Sequence, residues 1–117
     1  MKYLERYNNP SSKHYDSLRQ DLEDISVEFR DMGLRVGINN HSIIINYIKT
    51  INSYAYKIIK WDHDIRDCLL RIKDYLGDKY EKFQYYHQNH GWVTVKLTDK
   101  VEIGGKITHL KIEFREN

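Results

Sequence analysis

"GLRVGINNHSIIINY", residues 33–47, is where the hydrophobic period of the chain changes from that of a helix to that of a strand. Before it, apolar residues recur every three or four positions, whereas the letters LRVGI alternate between apolar residues and polar or small ones. The letters NNH tolerate the left-handed backbone of a tight turn, and SIIINYIK then resumes an extended pattern. The stretch therefore predicts a β-hairpin.

The second strand of this hairpin is apolar on both of its faces. Ile44 and Ile48 fall on one side of an extended chain, and Ile43, Ile45 and Tyr47 fall on the other. Such a strand suits either the centre of a sheet under two layers or a sheet face that a partner covers.

An amphipathic helix is predicted before the hairpin. Its apolar residues share one helical face at steps of three and four, namely Leu18, Leu22, Ile25, Phe29 and Met32. The helix is expected to start near Ser11 or Ser12 and to end at Gly33, a left-handed cap. The turn-forming letters NNPSS predict that residues 1–13 form a flexible or partner-dependent arm.

A second helix is predicted over residues 62–76. Asp62 is a favourable N-cap, Asp64 lies where the helix dipole favours an anion, and Gly77 follows the last turn. The apolar stripe of this helix consists of Ile65, Cys68, Leu69, Ile72 and Leu76. The β-branched and aromatic residues of the preceding segment, residues 50–61, predict a loop with room for a short strand.

The rest of the chain has the pattern of three strands. YEKFQYYH and GWVTVKL flank the letters QNHG, and KITHLKIEFRE alternates again after a loop. The element order α-β-β-α-β-β-β predicts an α+β two-layer sandwich, with two helices on one face of a mainly antiparallel sheet of four or five strands. The expected core consists of Leu18, Leu22, Ile25, Phe29, Ile65, Leu69, Ile72, Val93, Val95, Leu110 and Ile112.

Composition predicts one globular domain, placed at residues 14–117. The chain has 117 residues, 40% hydrophobic and 31% charged, which is typical of a folded protein. Apolar runs are far shorter than the roughly 18 residues of a membrane span, and no secretory leader is recognisable. The lone Cys68 is expected to be a packed, unreactive thiol in a reducing compartment. We therefore expect a soluble, cytoplasmic protein.

The stretch QYYHQNHGW, residues 84–92, raises the question of a metal site. A zinc site needs three or four ligands, whereas His87 and His90 supply two, and Asn89 and Gly91 favour a tight reversal. The stretch therefore predicts a turn. No cofactor is expected.

A metal-assisted hydrolase or nuclease is the weakest of three functional hypotheses. It would use Asp64, Asp67 and His63, or the pair His87 and His90. A helix cap with solvated first-turn charges explains the same three helical residues without chemistry.

Tyrosines interleaved with lysines form the strongest binding signal. Residues 41–60 contain three lysines and no acid, in a chain with 10 tyrosines and a net charge of only +2. Aromatic rings beside cations hold single-stranded nucleic acid, and tyrosine is also enriched in protein interfaces. The alternative to a binding role is that the same rings pack in the core. The candidate binding residues are Tyr47, Lys49, Tyr54, Tyr56, Lys57, Lys60 and Trp61.

The run DIRDCLLRIKDYLGD, followed by FQYY, GWVTVKL and LKIEF, resembles the end of small uncharacterised proteins carried by tailed bacteriophages. The matching letters cover about half of the chain and are chiefly core and cap positions, so the resemblance carries no active site. It implies an accessory or host-takeover factor acting in the cytoplasm of an infected bacterium.

The leading functional prediction is a small non-catalytic protein that acts through protein–protein contact. Its partner would be a second copy, forming a homodimer, or a bacterial host protein; no membrane partner is expected. The alternative is a single-stranded nucleic-acid-binding protein that uses the Lys/Tyr stretch of residues 41–60.

Overall fold

The computed structural model describes residues 10–47 and 56–116, with side chains from Ser17 onward. These residues form three α-helices, one short 3-10 turn at Gly77–Lys79 and five strands. In chain order the helices and strands are α1 (Pro10–Ile25), α2 (Val27–Asp31), β1 (Leu34–Ile38), β2 (Ser42–Tyr47), α3 (His63–Leu76), β3 (Tyr80–His87), β4 (Gly91–Val95) and β5 (Ile107–Phe114). The predicted α+β class and element order are confirmed.

Helix α3 begins and ends where its sequence predicts. Asp62 is extended, and its side-chain oxygen accepts a hydrogen bond of 2.9 Å from the backbone N–H of Ile65. Gly77 has φ +54°, a left-handed conformation that other residues adopt with strain, so the helix ends there. The apolar stripe between these two residues is buried.

The first predicted helix is interrupted, which corrects the expectation of one continuous helix. The backbone N–H of Phe29 bonds to the carbonyl of Ser26 at 3.0 Å, a three-residue step that tightens the chain between α1 and α2. Serine favours caps and turns over helix interiors, which explains why the break falls there. Gly33, at φ +86°, ends α2 as predicted.

Helix α1 begins at Pro10. The predicted arm, residues 1–13, therefore includes the first turn of α1, and its residues 1–9 lie outside the described residues.

The sheet is antiparallel throughout and has the strand order β1-β2-β5-β3-β4. The last strand of the chain, β5, lies between the two hairpins. Ile112 is the register partner of Ile43 in β2 and of Phe83 in β3, so one residue joins both halves of the sheet.

The core lies between the helices and one face of the sheet. The largest fully buried side chains on this side include Phe29, Phe83, Leu22, Ile43, Ile45, Leu69, Ile72, Leu110 and Ile112. Eight of the eleven predicted core residues are buried. Ile25, Val93 and Val95 are only half-buried, because Ile25 borders the break after α1 and the two valines lie on the edge strand β4.

Cys68 is packed in this core. It is fully buried, and its thiol lies 3.5 Å from the carbonyl oxygen of Ile25. Burial raises the pKa of the Cys68 thiol to about 11, so the thiolate that reactive cysteines require is disfavoured.

The segment before α3 crosses one end of the sheet without regular structure. Residues 56–62, which we call the strap, are held by a hydrogen bond of 2.7 Å from the N–H of Ile59 to the carbonyl of Ile107. Ile59 is buried. The rest of the predicted loop, residues 50–55, lies outside the described residues. Of the helices that the structure describes, none is both long and apolar enough to cross a membrane.

Leu69→Ala tests the assignment of α3 to the core. Leu69 is fully buried, so the substitution should lower the free energy of unfolding by about 2–5 kcal/mol. Denaturant melts measure the change, with Val27→Ala as the exposed control, because Val27 is 49% exposed. Equal stabilities of the Leu69→Ala protein and the parent would contradict the assignment.

Candidate functional site

The sheet face opposite the helices, which we call the open face, carries a mixed set of polar, cationic and aromatic side chains. Alternation along the strands and the strand register place on it Arg35, Ser42, Ile44, Asn46, Lys82, Gln84, Tyr86, Trp92, Thr94, His109, Lys111 and Glu113. In the described parts of the chain no helix packs on this face.

Four rings gather at one end of the open face, and we call them the aromatic cluster. Tyr86 faces Trp92 across the β3–β4 pair and His109 across the β3–β5 pair, with ring centroids 5.3 and 5.8 Å apart. The strap adds Tyr56, whose ring centroid is 4.5 Å from that of His109. These three pairs are edge-to-face, and Trp92 and Tyr56 are 42% and 38% exposed, so part of each of these two side chains is accessible to solvent.

Two neighbouring depressions adjoin the cluster. The first depression has a volume of about 440 Å³ and is lined by Tyr56, Tyr86, Gln88, Trp92, Thr108 and His109. The second depression, of about 420 Å³, is lined by Arg35, Gly37, Ile38, Asn39, Ile44, Asn46, Tyr56 and His109. Both volumes are in the range of small-ligand sites. Because Tyr56 and His109 line both depressions, these two rings form the ridge between them.

Cations outnumber acids on the open face. Lys111 places its ammonium 4.1 Å from the ring centroid of Trp92, and Arg35 lines the second depression. Among the described residues placed on this face, Glu113 is the single carboxylate, and it lies 3.2 Å from Lys111 and 3.7 Å from Lys82. Neither depression has a carboxylate in its lining. The face thus favours ligands that combine flat rings with negative charge.

A β-bulge shapes the first depression. Tyr86 pairs with His109 and His87 pairs with Ile107, so Thr108 is left without a register partner on β3. The hydroxyl of Thr108 lies 2.9 Å from Nδ1 of His109 and holds the imidazole in the cluster. Burial lowers the pKa of His109, so the ring is neutral at pH 7 and stacks as an aromatic group.

The candidate residues of the Lys/Tyr stretch are dispersed. Tyr47 packs at the rim of the core, with the ammonium of Lys57 4.6 Å from its ring centroid. Trp61 packs against the core, and Lys60 is exposed. Tyr56 alone among the described candidates lines the depressions. Lys49 and Tyr54 lie outside the described residues.

The stretch QYYHQNHGW is a turn, as predicted. His87 ends β3, Gly91 begins β4 at φ +72°, and the N–H of His90 donates to the carbonyl of His87 at 3.1 Å. Nδ1 of His87 accepts from the N–H of Asn89 at 3.1 Å, so this imidazole braces the turn. The rings of His87 and His90 have centroids 4.5 Å apart. Among the described residues, no three histidine, cysteine, aspartate or glutamate side chains are grouped to hold a metal ion.

The helical acid set lies apart from the open face. His63, Asp64 and Asp67 are exposed on α3, in the helix layer, and Asp67 lies 3.7 Å from the guanidinium of Arg66. Asp62 is occupied as the N-cap.

Comparison of the chain with protein-family models, with curated proteins and with solved structures gives no match. Fold and site therefore define this molecule by class alone: an α+β domain whose open face carries an aromatic and cationic cluster.

The grouping of Tyr86, Trp92, His109 and Lys111 is not evident from the sequence alone. The alternation of apolar and polar residues within each strand is visible in the sequence, and it assigns each of these residues to a face. Their meeting requires the strand order, because His109 and Lys111 lie on β5 and the other two on the β3–β4 hairpin.

The lowered pKa of His109 predicts a pH dependence of stability. The pKa of His109 is lowered in the folded protein, whereas in the unfolded chain it has the ordinary value of 6.5. As the pH falls through 6.5, the unfolded chain binds a proton that folded His109 does not bind, so the free energy of unfolding decreases. His109→Gln should lose less stability than the parent between about pH 7.5 and pH 5. Thermal melts across this range measure the difference, and the other five histidines are common to both proteins. Parallel losses would refute the prediction.

Proposed function

We propose that this protein is a non-catalytic binding protein whose open face binds single-stranded nucleic acid. The observation that carries the proposal is the aromatic cluster, in which partly exposed rings lie beside Lys111 and share the second depression with Arg35. Unpaired bases stack on aromatic side chains, and cations hold the phosphates that link them.

The charges on the open face favour this ligand over a cationic one. Aromatic cages also bind quaternary ammonium groups, but such a ligand would meet Lys111, whose ammonium already lies on the ring of Trp92. Arg35 would repel it from the second depression. A polyanion with flat, uncharged rings satisfies both the rings and the cations.

A single strand fits this face better than a duplex. In a duplex the bases stack on each other, so their faces are not accessible to Trp92 or Tyr56. Net charge supports the same choice, because +2 over the whole chain is small for a duplex binder that depends on phosphate contacts alone.

Removal of a stacking ring should weaken binding. Trp92→Ala is expected to lower the affinity for labelled oligothymidylate or oligouridylate by roughly 5- to 150-fold, from about 1–3 kcal/mol per stacked base. Fluorescence polarisation at low salt measures it, and parallel DNA and RNA probes show which sugar is preferred. Tyr75→Ala is the matched control, since Tyr75 is 39% exposed on α3, in the helix layer. If the parent protein binds neither probe at low salt, the proposal fails.

The salt dependence of binding should report the cations of the open face. Two or three phosphate contacts predict that log K falls by about 1.4 to 2.1 for each tenfold rise in salt. Lys111→Gln should reduce this slope by about 0.7, whereas Lys100→Gln, the same charge change in the loop after β4, should leave it unchanged. Equal slopes for both variants would show that Lys111 contacts no phosphate.

Protein–protein contact remains a second candidate function, and the edge strand β4 favours it. One side of β4 has no strand partner among the described residues. Val93 and Val95 of this strand are only half-buried. An unpaired edge accepts a strand from another chain, and a second copy is the simplest donor.

Light scattering at high micromolar concentration tests this second candidate. A homodimer through β4 should dissociate on Val93→Lys, because the substitution places a charge at the interface. Val27→Lys on the exposed surface of α2 is the control and should leave the dimer intact. A parent chain that stays strictly monomeric would exclude the homodimer.

A further inference from the structure

Within the proposed nucleic-acid site, the two depressions are continuous parts of one surface. Tyr56 and His109 belong to both linings, and their ring centroids are 4.5 Å apart. A ligand in either depression therefore contacts this ridge. Ligands in both depressions would contact the same edge-to-face pair of rings. Single-stranded nucleic acid is held in a comparable way when successive bases contact neighbouring aromatic side chains.

The first depression offers stacking surfaces and polar edges. Tyr86 and Trp92 form one wall, and their edge-to-face contact leaves part of the indole exposed. Gln88 lines the depression and supplies an amide that can pair with the hydrogen-bonding edge of a base.

The second depression owes its space to a glycine. Gly37 lies on β1 opposite Ile44, and a Cβ atom added to Gly37 would meet only the carbonyl oxygen of Ile44, at 3.9 Å. The backbone of Gly37 is outside the left-handed region, so the strand does not need glycine for its conformation. A larger side chain at this position would fill the depression. Because Gly37 has no side chain, this space stays open beside Arg35 and Asn46.

We infer that the two depressions hold two consecutive bases of one strand, on either side of the Tyr56–His109 ridge. Each depression has its own cation, Lys111 beside the first and Arg35 in the second. The phosphate of each nucleotide thus has one positive partner, and the guanidinium of Arg35 suits a bidentate contact with phosphate oxygens. The inference rests on the proposed function and adds the number of nucleotides that the site binds, which is two.

Gly37→Val tests the second subsite without disturbing the fold. Valine favours strands and meets no close neighbour there, so stability should be kept or raised. In the parent protein a dinucleotide should compete with labelled oligothymidylate more strongly than a mononucleotide does, by roughly 5- to 150-fold for the second stacked base. Gly37→Val should abolish this advantage and leave mononucleotide affinity unchanged.

Gly104→Val is the matched control, because a Cβ atom at Gly104 meets no atom within 4 Å and the residue lies outside both linings. It should bind both competitors as the parent does. Oligothymidylate binding with no dinucleotide advantage, or with an advantage that survives Gly37→Val, would overturn the inference and leave the proposed function standing. Failure of every nucleotide length to bind would refute both.

Discussion

The pairing of β5 with both hairpins is the interaction on which the rest of the structure depends. Each hairpin alone is a two-stranded unit, which is marginal in water, and the two become one sheet only when β5 enters between them. Ile112 then contacts β2 and β3 at the same level, and Leu110 repeats this with Ile45 and Tyr85. The helices cover a surface that exists only after this pairing. Because β2 and β5 are distant in sequence, the chain must close a long loop to form it.

Strand β5 contributes one set of side chains to the core and the alternate set to the open face. Leu110, Ile112 and Phe114 of β5 are buried under the helices, whereas His109 and Lys111 point to the open face. Strand alternation makes this separation automatic, since neighbouring residues serve opposite faces. The open face can therefore carry exposed rings and cations that would be unfavourable in the core.

Sequence periodicity predicted the elements well because helices and hairpins are specified locally. The cap at Asp62, the end at Gly77 and the turn after His87 all follow from neighbouring residues. The break at Ser26 is a local feature that the periodicity masked, whereas the other errors are nonlocal in origin. Val93 has the alternation of a core residue, yet β4 is an edge strand that the helices do not fully cover. The candidate site was predicted from a contiguous stretch, whereas the aromatic cluster draws its rings from β3, β4, β5 and the strap, and only Tyr56 belongs to both.

Three local departures from maximal stability lie on the open face. Gly37 weakens a strand that valine would strengthen, Thr108 interrupts the β3–β5 ladder, and His109 is held neutral by partial burial. All three line the two depressions. The helix-facing side of the same strands carries buried aliphatic and aromatic residues. A sequence selected for stability alone would fill Gly37 and regularise β5. Under the proposed function, both departures leave room for a ligand on the open face.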